Sequence, residues 1–184
     1  MSNPWAVWLR TNDRQPYVLA DKVGWDAFVN TGARDPLTVL SRLEMGELSE
    51  EALEDYNAAR QVWHANPAAV RTSQVAAAYS VIDQVMAGNH RDGDRLRGAV
   101  AIDSEPGLGK TTIATRYGRD FHRRMYRRYG PTTSDGSQRL PVAFVPLQSA
   151  TTLKDLNKQI LRFYRHRRAR ATRRPTSLLW LWTA

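Results

Sequence analysis

The sequence predicts an α/β chain, with an incomplete parallel sheet carrying helices on both faces and a helical region ahead of it. Three observations carry that prediction. A short apolar run, Gly98-Ala99-Val100-Ala101-Ile102-Asp103, leads into a glycine-rich turn and then a helix start. A second, Leu140-Pro141-Val142-Ala143-Phe144-Val145-Pro146-Leu147, comes after a turn-rich loop and before another helical pattern. Helical periods also precede the first run. Strand, helix, strand, helix is the order of a parallel layered sheet, since parallel neighbours need a crossover between them.

Taken in order, residues 1–35 scatter Trp5, Trp8, Trp25 and Phe28 among Pro, Asn, Gly and Asp with no sustained period, which reads as packing against the body of the protein. Pro36 to Met45 predicts a short helix that Gly46 ends. Ser49-Glu50-Glu51 predicts an N-cap with acid in the first turn, and Leu53, Tyr56, Ala59 and Trp63 carry that helix to about His64. Asn66-Pro67 predicts a cap and a first helical residue. Val75, Tyr79, Ile82 and Met86 then line one face until Gly88-Asn89, and His90 to Arg97 is a polar connection. Beyond the glycine turn, Ile113, Tyr117, Phe121 and Met125 predict a buried stripe on a helix reaching about Arg128. Gly130 to Gln138 is a loop, and Thr151 or Thr152 caps a last helix bearing Leu153, Leu156, Ile160 and Phe163. The domain reading is a helical region over 1–66, a partial nucleotide-binding domain over 67–164 and an arginine-rich tail over 165–184.

Composition narrows the class. The chain has 184 residues, no cysteine and a formal net charge of +9. Without cysteine there are no disulfides, thiolate metal sites or thiol nucleophile, and the reducing cytoplasm is the expected compartment. No apolar run approaches the roughly 20 residues of a membrane span, and the first residues lack a signal-peptide pattern, so no membrane partner is expected. The charge is uneven: residues 1–90 carry a net of −4, residues 91–161 a net of +6, and residues 162–184 hold seven arginines and no acid. His64, His90, His122 and His166 are scattered without metal-ligand spacing, and no Gly-x-Ser-x-Gly is present. No catalytic residue is predicted.

The chemistry concentrates in Ser104-Glu105-Pro106-Gly107-Leu108-Gly109-Lys110-Thr111-Thr112. This follows G-x-x-x-x-G-K-[ST] with Ser104 at the first glycine position. Glycines let successive N–H groups converge on an anion at the positive end of a helix. Lys110 then reaches the β and γ phosphates and the Thr111 hydroxyl binds Mg²⁺. The expected cofactors are ATP and Mg²⁺. Glu105 reads as a solvated turn carboxylate. Past the loop, Arg116, Arg119, Arg123, Arg124, Arg127 and Arg128 either grip a nucleic-acid backbone or form a solvated helix face.

These residues resemble a known group. RTSQVAAAYSVIDQVMAGNHR, GAVAIDSEPGLGKTTIATRYGRDFHRR and LPVAFVPLQSATTLKDLNKQILRFY together look like the N-terminal half of the AAA+ P-loop ATPases that help DNA transposition, the TniB-like family. The likeness covers about Arg71 to Tyr164. It implies a P-loop NTPase (AAA+ like) fold and an ATP-dependent protein that assembles on target DNA and recruits a transposase, self-association being compatible with that role. By position, Gly107, Gly109, Lys110, Thr111 and Thr112 carry over as its nucleotide loop. The family's second acidic motif, sensor and arginine finger have no counterpart after Phe163, where no Asp or Glu occurs, so the resemblance implies a truncated, non-hydrolysing form.

A regulatory signal-transduction switch ATPase of the STAND or NB-ARC type is the alternative, since GLGKTTIA and VAFVPLQSATTLKDLNKQIL also fit that nucleotide-binding core. The tail RHRRARATRRPTSLLWLWTA, with Leu178, Leu179, Trp180, Leu181 and Trp182, reads as a disordered basic contact or an out-of-frame segment.

Overall fold

In a computed structural model that describes residues 3–68, 70–90 and 97–165, seven helices account for the regular structure of the described residues: α1 (Pro4–Asn12), α2 (Lys22–Asn30), α3 (Arg42–Gly46), α4 (Glu50–Ala65), α5 (Ser73–Gly88), α6 (Lys110–Tyr129) and α7 (Leu153–Phe163). Two compact units form. One takes the chain up to Pro16 with Thr31–Tyr117, the other Tyr17–Asn30 with the chain from Gly118 on.

In the first unit, α1 opens on Asn3-Pro4, the Asn3 side chain accepting from the Trp5 amide while Pro4 fills the first turn. It lies beside α4 in the same direction: Asn3 Nδ2 donates to Asp55 at 2.7 Å, Trp5 meets Tyr56 at 4.8 Å and Trp8 meets Trp63 at 6.5 Å. The aromatic residues of the N-terminal region therefore pack, as expected. Sequence predicts a helix over Pro36 to Met45, but only Arg42–Gly46 is helical. The reason is that side chains satisfy the backbone before it. The Asn12 carboxamide accepts from Asp35 N, the Trp8 indole donates to Asp35 O, Arg14 donates to Gly32 O and Ala33 O, and Tyr56 Oη accepts from Leu40 N. Ser41 and Glu44 then start α3 with a reciprocal capping box.

Ser49 caps α4 as expected. Asn66 does not begin the next helix. It closes α4, its side chain donating to Val62 O at 2.8 Å, and α5 starts later under a Thr72 cap. On α5 only Tyr79 of the predicted stripe is buried, and Val75, Ile82 and Met86 are half-buried. It stands edge-on to Tyr117 of α6, whose hydroxyl donates to Asp83 at 2.6 Å.

The second unit is built on Trp25, Val29 and Phe163, with Leu19, Phe28, Val142, Ala143 and Phe144 packed around them. Trp25 stacks on Phe144 and its indole donates to His122 Nδ1 of α6 at 3.0 Å. Arg139 ties the loop after α6 by donating to Gly130 O and Thr132 O. Thr152 caps α7, and beyond it the Arg165 guanidinium makes a two-pronged pair with Asp21.

The predicted α/β architecture is overturned, and with it the AAA+ like P-loop sheet. Among the described residues there is no strand and no sheet, only one isolated antiparallel bridge between Thr132 and Gln138. An apolar run becomes a strand only when a neighbour takes its N–H and C=O groups. Gly98 to Asp103 is mostly exposed, with Ile102 half-buried, and makes no backbone ladder. In Leu140 to Leu147, Pro141 and Pro146 each remove a donor, and Val142, Ala143 and Phe144 bury against the Trp25 core without strand pairing. The hydrophobicity of both runs is real, but hydrophobicity alone does not pair strands. No helix among the described residues is long and apolar enough to cross a membrane.

Candidate functional site

The glycine segment turns tightly just ahead of α6. Gly107 and Gly109 adopt φ of +85° and +80°, the left-handed region that costs other L-residues about 1–2 kcal/mol. A Cβ on either would meet no atom within 4 Å, so it is the backbone turn, and not lack of room, that demands glycine. Ser104 lies outside the left-handed region. The strand expected ahead of the loop is absent, since Gly98 to Asp103 pairs with no neighbouring strand among the described residues.

Gly109 O accepts from Ile113 N at 2.9 Å and so begins α6. The amides of Lys110, Thr111 and Thr112 then occupy the first turn, where no intrahelical acceptor exists and where no acidic side chain of the turn competes for them. Lys110 is half-buried, and its ammonium folds back over the loop to donate to Ser104 O and, at 3.0 Å, to Glu105 O. The loop's own carbonyls thus hold the ammonium over the turn. Thr111 and Thr112 are exposed at the helix start, and the Thr115 hydroxyl turns inward to Thr111 O at 2.8 Å. Pro106, Leu108 and Glu105 face solvent on the rim. All nine residues singled out by sequence therefore fall on one turn and one helix start.

The six arginines of α6 divide. Arg119 lies over the Phe28 ring at 5.1 Å, Arg123 Nε donates to Val29 O at 2.7 Å, and Arg124 is half-buried over Phe121 at 5.8 Å. Arg116 is half-buried, whereas Arg127 and Arg128 are exposed, Arg128 lying 5.9 Å from the Tyr129 ring. Neither of the last two meets a carboxylate among the described residues. Three of the six arginines are thus engaged in the packing of their own unit.

Two features escape the sequence reading. His122 is fully buried, and burial holds its pKa below the ordinary histidine value, with the Asp26 charge opposing that shift. The Asn89 side chain bonds both main-chain groups of Gly98. His122 lies one residue from the Phe121 of the apolar stripe, which is the only signal of its burial in the sequence. The segment from His166 to Ala184, which holds the rest of the basic tail, lies outside the described residues.

No family model, curated protein or solved structure matches this chain.

Proposed function

We propose that this chain binds ATP with Mg²⁺ on Ser104–Thr112 and acts as an ATP-dependent DNA-binding helper in transposition. The observation that carries the nucleotide part is the joint geometry of Gly107, Gly109 and Lys110. Two left-handed glycines open a turn onto a helix start, and an ammonium already lies across it. Lys110 would meet the β and γ phosphates, the amides from Gly107 to Thr112 would surround them, and the Thr111 hydroxyl would be the protein's ligand to Mg²⁺. The ion supplies charge neutralisation between phosphate oxygens. Among the described residues no three His, Asp or Glu side chains cluster to hold a metal without the nucleotide.

The transposition role rests on the sequence resemblance, and a transposase partner and self-assembly follow from that resemblance alone. The exposed Arg127 and Arg128 support a nucleic-acid contact. The test is calorimetric titration of ATP with Mg²⁺ into the full chain and into Lys110→Ala. The expected result is saturable binding that the variant weakens by at least ten-fold, on the scale of a lost charge-assisted contact worth about 1.5–3 kcal/mol. No uptake by the full chain, or equal uptake by both, sinks the nucleotide reading. DNA binding that ignores ATP sinks the helper reading and leaves the nucleotide site standing.

A further inference from the structure

We infer that the Asn89 carboxamide is a positioning residue for the phosphate loop, fixing the main chain at Gly98 so that the segment entering the loop is already ordered when a polyphosphate arrives. This rests on the nucleotide reading of Ser104–Thr112. Asn89 is the C-cap of α5. Its Oδ1 accepts from Gly98 N at 2.7 Å and its Nδ2 donates to Gly98 O at 3.2 Å. The Arg97 guanidinium donates to the Asn89 main-chain carbonyl, so both halves of the residue engage the same point of the chain.

A carboxamide offers one acceptor and one donor side by side, as a peptide group does. Gly98 therefore receives from a single side chain what a neighbouring strand would otherwise give it. The seat is close: a Cβ at Gly98 would stand 2.9 Å from Val85 Cγ1 and 3.7 Å from Asn89 Oδ1, so a larger residue would push the chain out of the clasp.

The mechanical consequence lies in what the clasp shortens. Ala99 to Asp103 makes no backbone hydrogen bond among the described residues, and the next fixed points are the Lys110 bonds to Ser104 and Glu105. With the clasp, the fixed point on the entering side is Gly98, and only Ala99 to Asp103 lie between it and Ser104; without it, that fixed point moves back to the end of α5. A longer span costs more to close, so the population of the ordered loop falls. That difference appears as affinity, because a ligand need not order what is already ordered.

Asn89→Ala and Asn89→Asp, each in the full chain, separate the possibilities with two readouts, amide hydrogen exchange at Gly98 and affinity for ATP with Mg²⁺. Asn89→Ala should speed exchange at Gly98 and weaken ATP a few-fold. Asn89→Asp still accepts from the Gly98 amide but cannot donate to its carbonyl, so it should keep exchange slow and fall between the two in affinity. Unchanged exchange in Asn89→Ala overturns the clasp, and faster exchange with unchanged ATP affinity overturns its positioning role. A full chain that binds no ATP overturns the nucleotide reading itself, a result that the unmutated protein and Lys110→Ala report without reference to Asn89.

Discussion

Asn12 and His122 show the two ways a buried polar side chain is accommodated here. Both are fully buried. Asn12 is satisfied on every side: its amide donates to Trp8 O and Asp35 Oδ2, and its oxygen accepts from Asp35 N. His122 is satisfied at one nitrogen. Because the Trp25 indole donates to Nδ1, the ring proton of the neutral form sits on Nε2, which has no hydrogen-bond partner among the described residues. Protonation would put a second donor against the Trp25 N–H and a charge in a fully buried site. This is why burial lowers its pKa, the Asp26 charge opposing and the Tyr126 ring packed edge-on at 4.4 Å. A lowered folded pKa means that the unfolded chain binds the extra proton first. The contribution of His122 to stability is therefore complete above the unfolded value of about 6.5 and is lost as pH falls through that value toward the folded one. Urea midpoints should fall with pH over that window, this residue contributing at most about 1.4 kcal/mol of unfolding free energy per pH unit. In His122→Gln that part of the slope should vanish; equal slopes in both proteins would show that His122 does not carry it.

At the scale of elements, what decides a boundary is who satisfies the backbone. Asn-Pro occurs at 3–4 and again at 66–67, and the pair opens α1 at the first place but not at the second. At 66 the asparagine is claimed from behind, donating to Val62 O at the end of α4. The helices α4, α6 and α7 are legible in the sequence because their caps and stripes are local. The segment before α3 is not legible, because its partners come from Trp8, Asn12, Arg14 and Tyr56. The two apolar runs mislead for the same reason, their side-chain pattern being visible and their lack of a pairing neighbour not. The glycine turn and the start of α6 are legible, because two glycines ahead of a helical period are local facts. The Asn89 clasp, spanning from α5 to Gly98, is not. One element boundary also carries a measurable cost. Ala150 adopts φ of 63° in the turn that Gln148 and Thr151 close ahead of α7. Since glycine takes this region freely but loses more freedom on folding, Ala150→Gly should raise stability by about 0.5–1 kcal/mol, read as a higher urea midpoint at unchanged slope. A lower midpoint would mean that the turn favours alanine for reasons other than its φ.

For the whole molecule, the net charge of +9 overstates what α6 offers a nucleic acid. Arg119 and Arg123 hold Phe28 and Val29 O, so their loss should appear first as lost stability. Arg127 and Arg128 are exposed near the C-terminal end of α6, where a cation is favoured by the helix dipole and costs the fold little to remove. If the helper function holds, these two contribute phosphate contacts, and each contact releases counterions in proportion. The logarithm of the affinity for duplex DNA, measured with ATP and plotted against the logarithm of salt concentration, should then be shallower by about 1.8 in Arg127→Ala/Arg128→Ala, with the urea midpoint nearly unmoved. A slope equal to that of the unmutated chain would remove α6 from the DNA contact and transfer the burden to basic residues elsewhere. A fall in the urea midpoint as large as the fall in affinity would instead make these arginines part of the fold, like their neighbours on the same helix.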